Sequence, residues 1–254
     1  MKGLVKYALG SDGVKLMDLP EPVPQEGELK VKVLATGICG SDVHAMHDQR
    51  SVNMPVVMGH EYVGEVVETC GDTGIFKVGD WVTTLPACYS CRTCELCQKG
   101  LVTLCKERKS IGSHVNGAMA NYVVVPAKYS FKLPSSVKTL QEKKIYALAE
   151  PLCCVVRAVF ERIEVHPKDL VVVSGPGPMG IMAAQLFKLR GAYVIVSGLP
   201  IDRKKLDLAL KLGADEAVTS VEELEQAVYR KNPAGADIVC EATGNTGVAR
   251  ITLD

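Results

Sequence analysis

The spacing of apolar residues changes once along this chain of 254 residues, near residue 146. Before that point, short stretches alternate apolar with polar side chains or are rich in valine and threonine, and Gly, Pro and Asp separate them. This pattern predicts short strands with one buried face. The clearest predicted strands are residues 29–34, 62–69, 81–85 and 122–125. We therefore expect the first half to form an all-β domain or a partly open barrel.

After residue 146, apolar strands alternate with helical stretches. The predicted strands are residues 170–174, 193–197, 216–219 and 237–241, and the predicted helices are residues 181–190, 204–212 and 221–230. Alternation at this spacing predicts βαβ units and a parallel sheet. A doubly wound dinucleotide fold has six strands, whereas four are predicted here. We therefore expect an incomplete sheet, either because the chain is truncated at its C-terminus or because its second domain is naturally incomplete.

Composition and charge are typical of a soluble globular protein. Apolar residues make up 47% of the chain, and 29 basic residues balance 29 acidic ones. No block of like charge indicates a nucleic-acid or membrane surface, and the first residues lack the apolar core of a signal peptide. We expect a cytoplasmic protein. In that compartment thiols stay reduced, and clustered cysteines usually bind metal.

Five of the ten cysteines fall within eighteen residues, namely Cys88, Cys91, Cys94, Cys97 and Cys105. Disulfides are disfavoured by the expected compartment. A bacterial-type iron–sulfur cluster would need three residues between its third and fourth cysteines and proline after the fourth, whereas here two residues separate Cys94 from Cys97 and Gln98 follows. The last four cysteines instead fit a closed tetrahedral zinc site, which is structural because it leaves no open position. Cys88 is then expected to be a small packed side chain.

A second metal site, with an open position, is predicted upstream of this run. Residues 39–44 read C-G-S-D-V-H, and residues 59–61 read G-H-E. Cys39 and His60 with a carboxylate would leave a fourth position vacant, which is the composition expected of catalytic zinc.

Taken together, these motifs resemble those of the zinc-dependent medium-chain dehydrogenases of the alcohol dehydrogenase superfamily, and most closely the sorbitol (polyol) dehydrogenase branch. The family pattern G-H-E-x-x-G stands at residues 59–64, C-G-S-D-x-H at 39–44, and the four-cysteine lobe within about 86–107. The resemblance covers the whole chain and implies an α/β protein. A GroES-like β-rich catalytic domain over residues 1–148 would precede a Rossmann doubly wound parallel sheet, here incomplete, over residues 149–254.

The resemblance also implies the ligands of both zinc ions. Glu150 stands where the alcohol dehydrogenase branch carries a second cysteine ligand, and glutamate replaces that cysteine in the polyol branch. The structural zinc would bind Cys91, Cys94, Cys97 and Cys105. The catalytic zinc would bind Cys39 and His60 with Glu61, Glu150 or both, and the sequence does not choose between the glutamates. Asp42 would orient His60 by accepting its other ring proton.

A dinucleotide site is predicted where the first strand of the second half meets its helix. Residues 175–180 read G-P-G-P-M-G, which fits G-x-G-x-x-G in the required strand–turn–helix context. The expected cofactor-binding residues are Gly175, Gly177, Pro178, Met179, Gly180, Ser197, Gly198 and Arg203. NAD enzymes usually carry an acid at the position of Gly198. Its absence, with Arg203 and Lys204 nearby, favours NADP; alternatively, Arg203 stacks on adenine and NAD binds.

The function implied by the resemblance is reversible hydride transfer between a secondary alcohol or polyol, sorbitol-like, and a nicotinamide cofactor. Zinc would lower the pKa of the substrate hydroxyl, and the proton would leave through Ser41 and the cofactor ribose to His44. The alternatives are a threonine, butanediol or aldose dehydrogenase of the same superfamily, and a non-catalytic metal-binding remnant. The expected partner is a small-molecule substrate, with no nucleic acid and no membrane. The resemblance implies a homo-oligomer, commonly a tetramer.

Overall fold

The computed structural model describes residues 1–251. It separates into two compact units, the first covering Met1–Glu150 and the second beginning at Pro151. The expected division of the chain into a domain of residues 1–148 and a domain of residues 149–254 stays a prediction. No helix within the described residues is both long and apolar enough to cross a membrane.

Antiparallel strands form the framework of the first unit. The strands are β1 (Lys2–Lys6), β2 (Val14–Asp18), β3 (Glu28–Thr36), β4 (Val56–Val57), β5 (Tyr62–Cys70), β6 (Trp81–Thr84), β7 (Ala87–Tyr89), β8 (Lys109–Ser110), β9 (Tyr122–Pro126) and β10 (Ser130–Lys132). They form a five-stranded sheet in the order β10-β6-β5-β3-β9, a three-stranded sheet β2-β1-β4 and a two-stranded sheet β7-β8. The expected β-rich first half is confirmed.

One face of the five-stranded sheet carries the core of this unit. On β3, Leu29 and Val31 are fully buried while the intervening Lys30 is only partly buried, as the two-residue period of a strand requires. Val66 on β5 and Val123 on β9 pack in the same cluster. The pairing of β3 with β5 shifts register at two places, and such bulges increase the local twist of a sheet.

The helices of the first unit are short, and the sequence pattern did not predict them. They are α1 (Gly40–Met46), α2 (Glu95–Gln98), α3 (Leu140–Ile145) and α4 (Ala149–Val156), and α4 continues across the unit limit into a π-helical segment, Arg157–Arg162. Single 3-10 turns occur at Ser11–Gly13, Val102–Leu104, Ala127–Tyr129 and Tyr146–Leu148. Segments of one or two turns are too short to show a helical period in the sequence.

The second unit is a parallel sheet flanked by helices. Its strands are β11 (Leu170–Ser174), β12 (Tyr193–Ser197), β13 (Glu216–Val218) and β14 (Ile238–Glu241), and its helices are α5 (Pro178–Leu189), α6 (Arg203–Lys211), α7 (Val221–Lys231) and α8 (Thr246–Ile251), with a 3-10 turn at Pro200–Asp202. The strand order is β13-β12-β11-β14, and every pair is parallel. This order corresponds to strands 3-2-1-4 of the doubly wound fold, so the expected α/β class is confirmed.

Both faces of this sheet are covered, which explains why its central strands are apolar throughout. Every residue of β11 is buried. Val171 and Val173 pack on one side in a cluster with Phe187 of α5, whereas Leu170 and Val172 pack on the other with Val228 of α7. The predicted start of the first helix, residue 181, was three residues late, because α5 begins at Pro178 with Gly177 as its N-cap. A proline suits this first helical position because no intrahelical bond needs its missing N–H.

Candidate metal and cofactor sites

The structure brings the four cysteines of the predicted structural zinc site together. The sulfur atoms of Cys91, Cys94, Cys97 and Cys105 all lie within 4.8 Å of one another. The Cys91 Sγ–Cys97 Sγ distance is 4.0 Å and the Cys91 Sγ–Cys105 Sγ distance is 3.5 Å. Zinc at about 2.3 Å from each sulfur would hold tetrahedral thiolates about 3.8 Å apart. The donor set therefore fits zinc, whereas a disulfide would require about 2 Å.

The backbone around these cysteines stabilises thiolates. The N–H groups of Cys94 and Thr93 donate to the sulfur of Cys91 and lower its pKa to about 6. The N–H of Cys91 in turn donates to Cys105 Sγ at 3.4 Å. A thiol has to lose its proton to bind metal, so these contacts favour metal binding. Cys88 lies outside the cluster and packs against the core of the first unit, and burial raises its pKa.

A second group of metal-ligating atoms is formed by Cys39, His60 and Glu61, whose donor atoms also lie within 4.8 Å of one another. Strand pairing brings them together. Thr36 at the end of β3 lies opposite Tyr62 at the start of β5, and the N–H of Gly37 donates to the carbonyl of Glu61 at 2.7 Å. The segment that follows β3 carries Cys39, and the segment that precedes β5 carries His60 and Glu61.

Asp42 touches two of these three residues. One carboxylate oxygen accepts the N–H of Cys39 at 3.0 Å, and the other lies 3.7 Å from Nδ1 of His60. Asp42 can do so because α1 begins directly after Cys39 and places this side chain, only 3% exposed, under its first turn. The carboxylate thus holds the cysteine backbone and the histidine ring in one arrangement, as groups behind metal ligands commonly do.

Hydrogen bonds and neighbouring charges shift the pKa values of the cysteine and the histidine in this cluster. The hydrogen bond with His60 lowers the pKa of the Cys39 thiol against the effect of burial, and Ser41 acts in the same direction. Burial alone would lower the pKa of His60, but the hydrogen bond with Cys39 and the charges of Asp42 and Glu150 outweigh it and raise that pKa. One thiolate, one imidazole and a carboxylate with a position left open are the donor set of a catalytic zinc ion.

The two candidate glutamate ligands are placed differently. Glu61 is only 7% exposed and belongs to the close group, and burial raises the pKa of its carboxyl. Glu150 lies outside that group, yet its pKa is raised by burial and by the charges of Glu61 and Asp42 against the effect of His60. It also lines the same cavity as His60. The structure therefore places Glu61 beside the other ligands and Glu150 nearby, and direct binding by either stays a prediction.

The two residues of the expected proton path lie on α1. Ser41 is half-buried and hydrogen-bonded to Cys39 through its side chain and backbone. His44, one turn further along, is exposed, and its Nδ1 lies 2.7 Å from Oε1 of Gln49. The helix thus leads from the candidate metal site to the surface of the first unit.

A cavity of about 210 Å³ opens beside His60 and Glu150. Two arginines, Arg50 and Arg108, and two buried serines, Ser110 and Ser113, also line it. Sequence reasoning missed all four of these residues. Arg50 lies in one loop and the other three lie within residues 108–113, and neither segment carries a motif; only the position of Arg108, three residues after Cys105, could have drawn attention to one of them.

In the second unit, the predicted glycine-rich turn joins β11 to α5. Gly175 has φ +104°, a conformation that L side chains rarely adopt. A Cβ on Gly180 would lie 2.0 Å from the carbonyl oxygen of Gly175, so the helix can approach the turn only with glycine there. Gly177 caps α5, and Pro178 and Met179 begin it. N–H groups at such a helix start suit a pyrophosphate.

A cavity of about 430 Å³ lies at the carboxyl ends of these strands, where doubly wound folds bind nucleotides. Gly175, Ser197 and Gly198 line it, as predicted residues of the site, together with Asp202, which sequence reasoning had not placed there. The Asp202 carboxylate accepts the Leu199 N–H and pairs with Lys205. Arg203 follows directly and pairs with Asp207 on the exposed side of α6, so its part in cofactor binding stays a prediction.

Family models match both units of the chain. Residues 25–135 match the model described as alcohol dehydrogenase GroES-like domain, and residues 178–252 match the model described as zinc-binding dehydrogenase. The first match covers the segments that carry the two metal clusters, and the second begins at Pro178, within the glycine-rich turn.

Two curated relatives and one solved structure resemble the chain over almost its whole length. D-arabitol-phosphate dehydrogenase of Enterococcus avium is 38% identical over all of this chain and 72% of its own length. Sorbitol dehydrogenase of Halalkalibacterium halodurans is 36% identical over all of this chain and 73% of its own. The crystal structure of a zinc-binding dehydrogenase from Sinorhizobium meliloti bound to NADP has a TM-score of 0.86 at 31% identity, covering 98% of this chain and 71% of that one.

Proposed function

The chain belongs to the family of zinc-binding dehydrogenases with an alcohol dehydrogenase GroES-like domain, and we propose that it reversibly transfers hydride between a polyol and a nicotinamide dinucleotide. One observation carries the proposal. The donor atoms of Cys39, His60 and Glu61 lie within 4.8 Å of one another, and a cavity large enough for a small substrate opens beside His60. The names of the two curated relatives support a polyol as the substrate class.

Zinc bound by these residues would supply a Lewis acid that polarises the substrate hydroxyl, and the nicotinamide would supply the hydride acceptor. The chain's own residues bind and orient. Asp42 fixes the His60 ring and the Cys39 backbone, so both ligands keep one geometry. Ile111, which is 1% exposed, supplies an apolar part of the cavity wall.

Ser41 and His44 would move the proton that the substrate hydroxyl releases. Nδ1 of His44 lies 2.7 Å from Oε1 of Gln49, and this contact engages one ring nitrogen and leaves Nε2 available. His44 is exposed and can pass that proton to water. The half-buried Ser41, hydrogen-bonded to Cys39, is the inner group of this path.

NADP is the cofactor that the second unit favours. Gly198 supplies no carboxylate at the end of β12, and the nearby Asp202 is already occupied by Lys205 and the Leu199 N–H. An acid that accepts the ribose 2′-hydroxyl, which NAD enzymes usually have, is therefore missing, while Arg203 and Lys204 lie close in sequence. A comparison of kcat/KM with NADP and with NAD tests this choice, and equal values would count against it.

The proposed reaction is tested by removing single ligands. Cys39→Ser and His60→Ala should each lower kcat/KM with polyols by at least about 10³-fold. A loss of that size corresponds to about 4 kcal/mol of transition-state stabilisation, at about 1.4 kcal/mol for each tenfold. Metal analysis should show one zinc lost and one retained per chain. Cys70→Ser is the matched control because Cys70 is half-buried and belongs to neither cluster. Full activity in Cys39→Ser would contradict the proposal.

We also propose that the enzyme acts in the cytoplasm as a homo-oligomer, tetrameric by resemblance to its branch. Thiolate sites of this kind support the first part, because they need a reducing compartment. Light scattering on the purified protein gives the number of chains, and a monomer over the micromolar range would overturn the second part.

A further inference from the structure

We propose that the substrate is a phosphorylated polyol whose phosphate is bound by Arg50 and Arg108. The inference rests on the proposed function, because it names the substrate of that same cavity. Both arginines line the space of about 210 Å³ that His60 and Glu150 also line. A ligand held by the guanidinium groups therefore has its other end in the same space as the candidate metal site.

Among the ion pairs of residues 1–251, none involves Arg50 or Arg108. Within the described residues, Glu150 is the acidic residue that lines the cavity with them. Arg50 is half-buried, so its charge is partly removed from water without a partner. Burying a charge in this way is costly unless an opposite charge compensates it. An anionic ligand would provide that compensation.

Arg108 is held in place by the lobe that carries the four cysteines. Its Nη1 donates to the carbonyl of Thr103 at 2.7 Å, and its backbone N–H donates to the carbonyl of Cys105 at 3.1 Å. This single side-chain hydrogen bond restrains the guanidinium and leaves its other N–H groups free for a ligand. The four-cysteine lobe therefore also positions the positive charge of Arg108 at the cavity.

The rest of the cavity suits a chain of hydroxyl groups. Ser110 and Ser113 are only 7% and 2% exposed and line the same space. Among the described residues, neither hydroxyl has a hydrogen-bond partner. Every fully buried side-chain oxygen in that part of the chain does have one, so these two oxygens are not fully buried. The two hydroxyls therefore face the cavity, where they can bond to a polyol.

Charge distinguishes phosphate from carboxylate as the bound group. A phosphate monoester carries about −1.5 to −2 near pH 7 and three acceptor oxygens, which matches two guanidinium groups. A carboxylate carries one charge, and an amino acid would also bring an ammonium group towards the two arginines. Guanidinium groups bind phosphate in a bidentate way, which gives position as well as affinity.

The test compares free and phosphorylated substrates on the zinc-loaded enzyme. Ribitol and sorbitol are assayed beside ribitol 5-phosphate and sorbitol 6-phosphate, and kcat/KM should be at least tenfold higher with the phosphates. Arg50→Gln and Arg108→Gln should each lower kcat/KM for the phosphates at least tenfold, mainly through KM, and reduce the ratio of kcat/KM for phosphates to that for free polyols. Arg50→Lys should recover part of the loss. Lys106→Gln is the matched control because it removes an exposed cation from the same lobe without lining the cavity.

A binding measurement separates recognition from turnover. Inorganic phosphate should raise the Tm of the unmodified protein and inhibit competitively, and both effects should be lost in Arg50→Gln. Free polyols used as well as their phosphates, with variants that behave like the parent, would overturn the phosphate proposal and leave the dehydrogenase intact. Turnover of L-threonine that depends on the two arginines would assign them to a carboxylate and also overturn it. No turnover of any polyol or polyol phosphate would instead refute the proposed function.

Discussion

Asp42 shows how much of a metal site depends on one residue that does not bind the metal. Its two oxygens hold the Cys39 backbone and face the His60 ring, so ligand positions 21 residues apart in sequence share one support. The motif C-G-S-D places this carboxylate three residues after the cysteine, which is why the sequence already indicated its role.

Replacing this carboxylate should loosen the open site alone. Asp42→Asn keeps an oxygen that can accept the Cys39 N–H but loses the negative charge beside His60. Groups that support metal ligands are typically worth about 10- to 100-fold in affinity, and we expect a loss of that size for one zinc. Competition with a chelator measures it, and the four-cysteine zinc should be unaffected. Unchanged affinity at both sites would show that Asp42 supports neither.

A second carboxylate stabilises a buried cation beside the end of α1. Lys6 is 1% exposed, and its Nζ lies 2.7 Å from Oδ1 of Asp48. The hydrogen bond from Lys6, helped by the N–H of Gly10, holds the pKa of the Asp48 carboxyl below its usual 3.8. Because the folded-state pKa is lowered, this contribution is present above the unfolded-state value and is lost as pH falls through the folded-state value.

Asp48→Asn should therefore lower the Tm at pH 7, and the difference from the parent protein should shrink as the pH falls below about 4. Zinc loss at acid pH affects both proteins, so the comparison is the difference between their melting curves at each pH. Asp18→Asn, which changes an exposed acid in the same unit, serves as control. A Tm difference that stays constant from pH 7 to pH 3 would argue against the ion pair as its source.

Among the elements, α5 shows what the periodic pattern can and cannot predict. Its apolar positions predicted a helix, but its first turn was missed because Pro178 and Gly180 are poor helix formers in the abstract. Contact with the strand–turn segment explains their presence. The start of the helix packs against the glycine-rich turn, and the rest of the helix packs in the core of the second unit.

Two substitutions on this helix compare a buried position with an exposed one. Phe187 is 1% exposed within the core cluster, so Phe187→Ala should cost about 3–5 kcal/mol of unfolding free energy through lost burial and a cavity. Leu189, two residues on, is 77% exposed, and Leu189→Ala should stay within about 0.5 kcal/mol. Urea unfolding of the two variants gives the comparison. Similar losses for both would mean that the helix is packed differently.

At the scale of the whole molecule, the metal clusters lie in Met1–Glu150 and the glycine-rich turn lies in the unit that begins at Pro151. Each unit has its own core, so ligands should stabilise them separately. In calorimetry, chelation should lower the transition of the first unit. NADP at about 100 times its Kd should add about 2.7 kcal/mol to the second. A nucleotide that moves no transition would contradict the assignment of the turn.

The sequence alone determined the main strands, the helices of the second half and the donor chemistry. Cysteines at three-residue steps must lie close whatever the fold, because so short a chain cannot separate them far, and period-two or continuous apolar runs specify strands. For that reason the closed zinc site, the β-rich first half and the parallel second half could be predicted.

Only the tertiary structure decided which distant residues meet. Cys39 reaches His60 because Thr36 pairs with Tyr62, and no local pattern encodes that pairing. Arg50 and Arg108 come to one cavity from loops 58 positions apart, one of them carried by the cysteine lobe. Local spacing fixes what neighbouring residues can do, whereas a substrate cavity depends on how sheets and loops pack. That packing is set by burial across the whole unit rather than by any one motif.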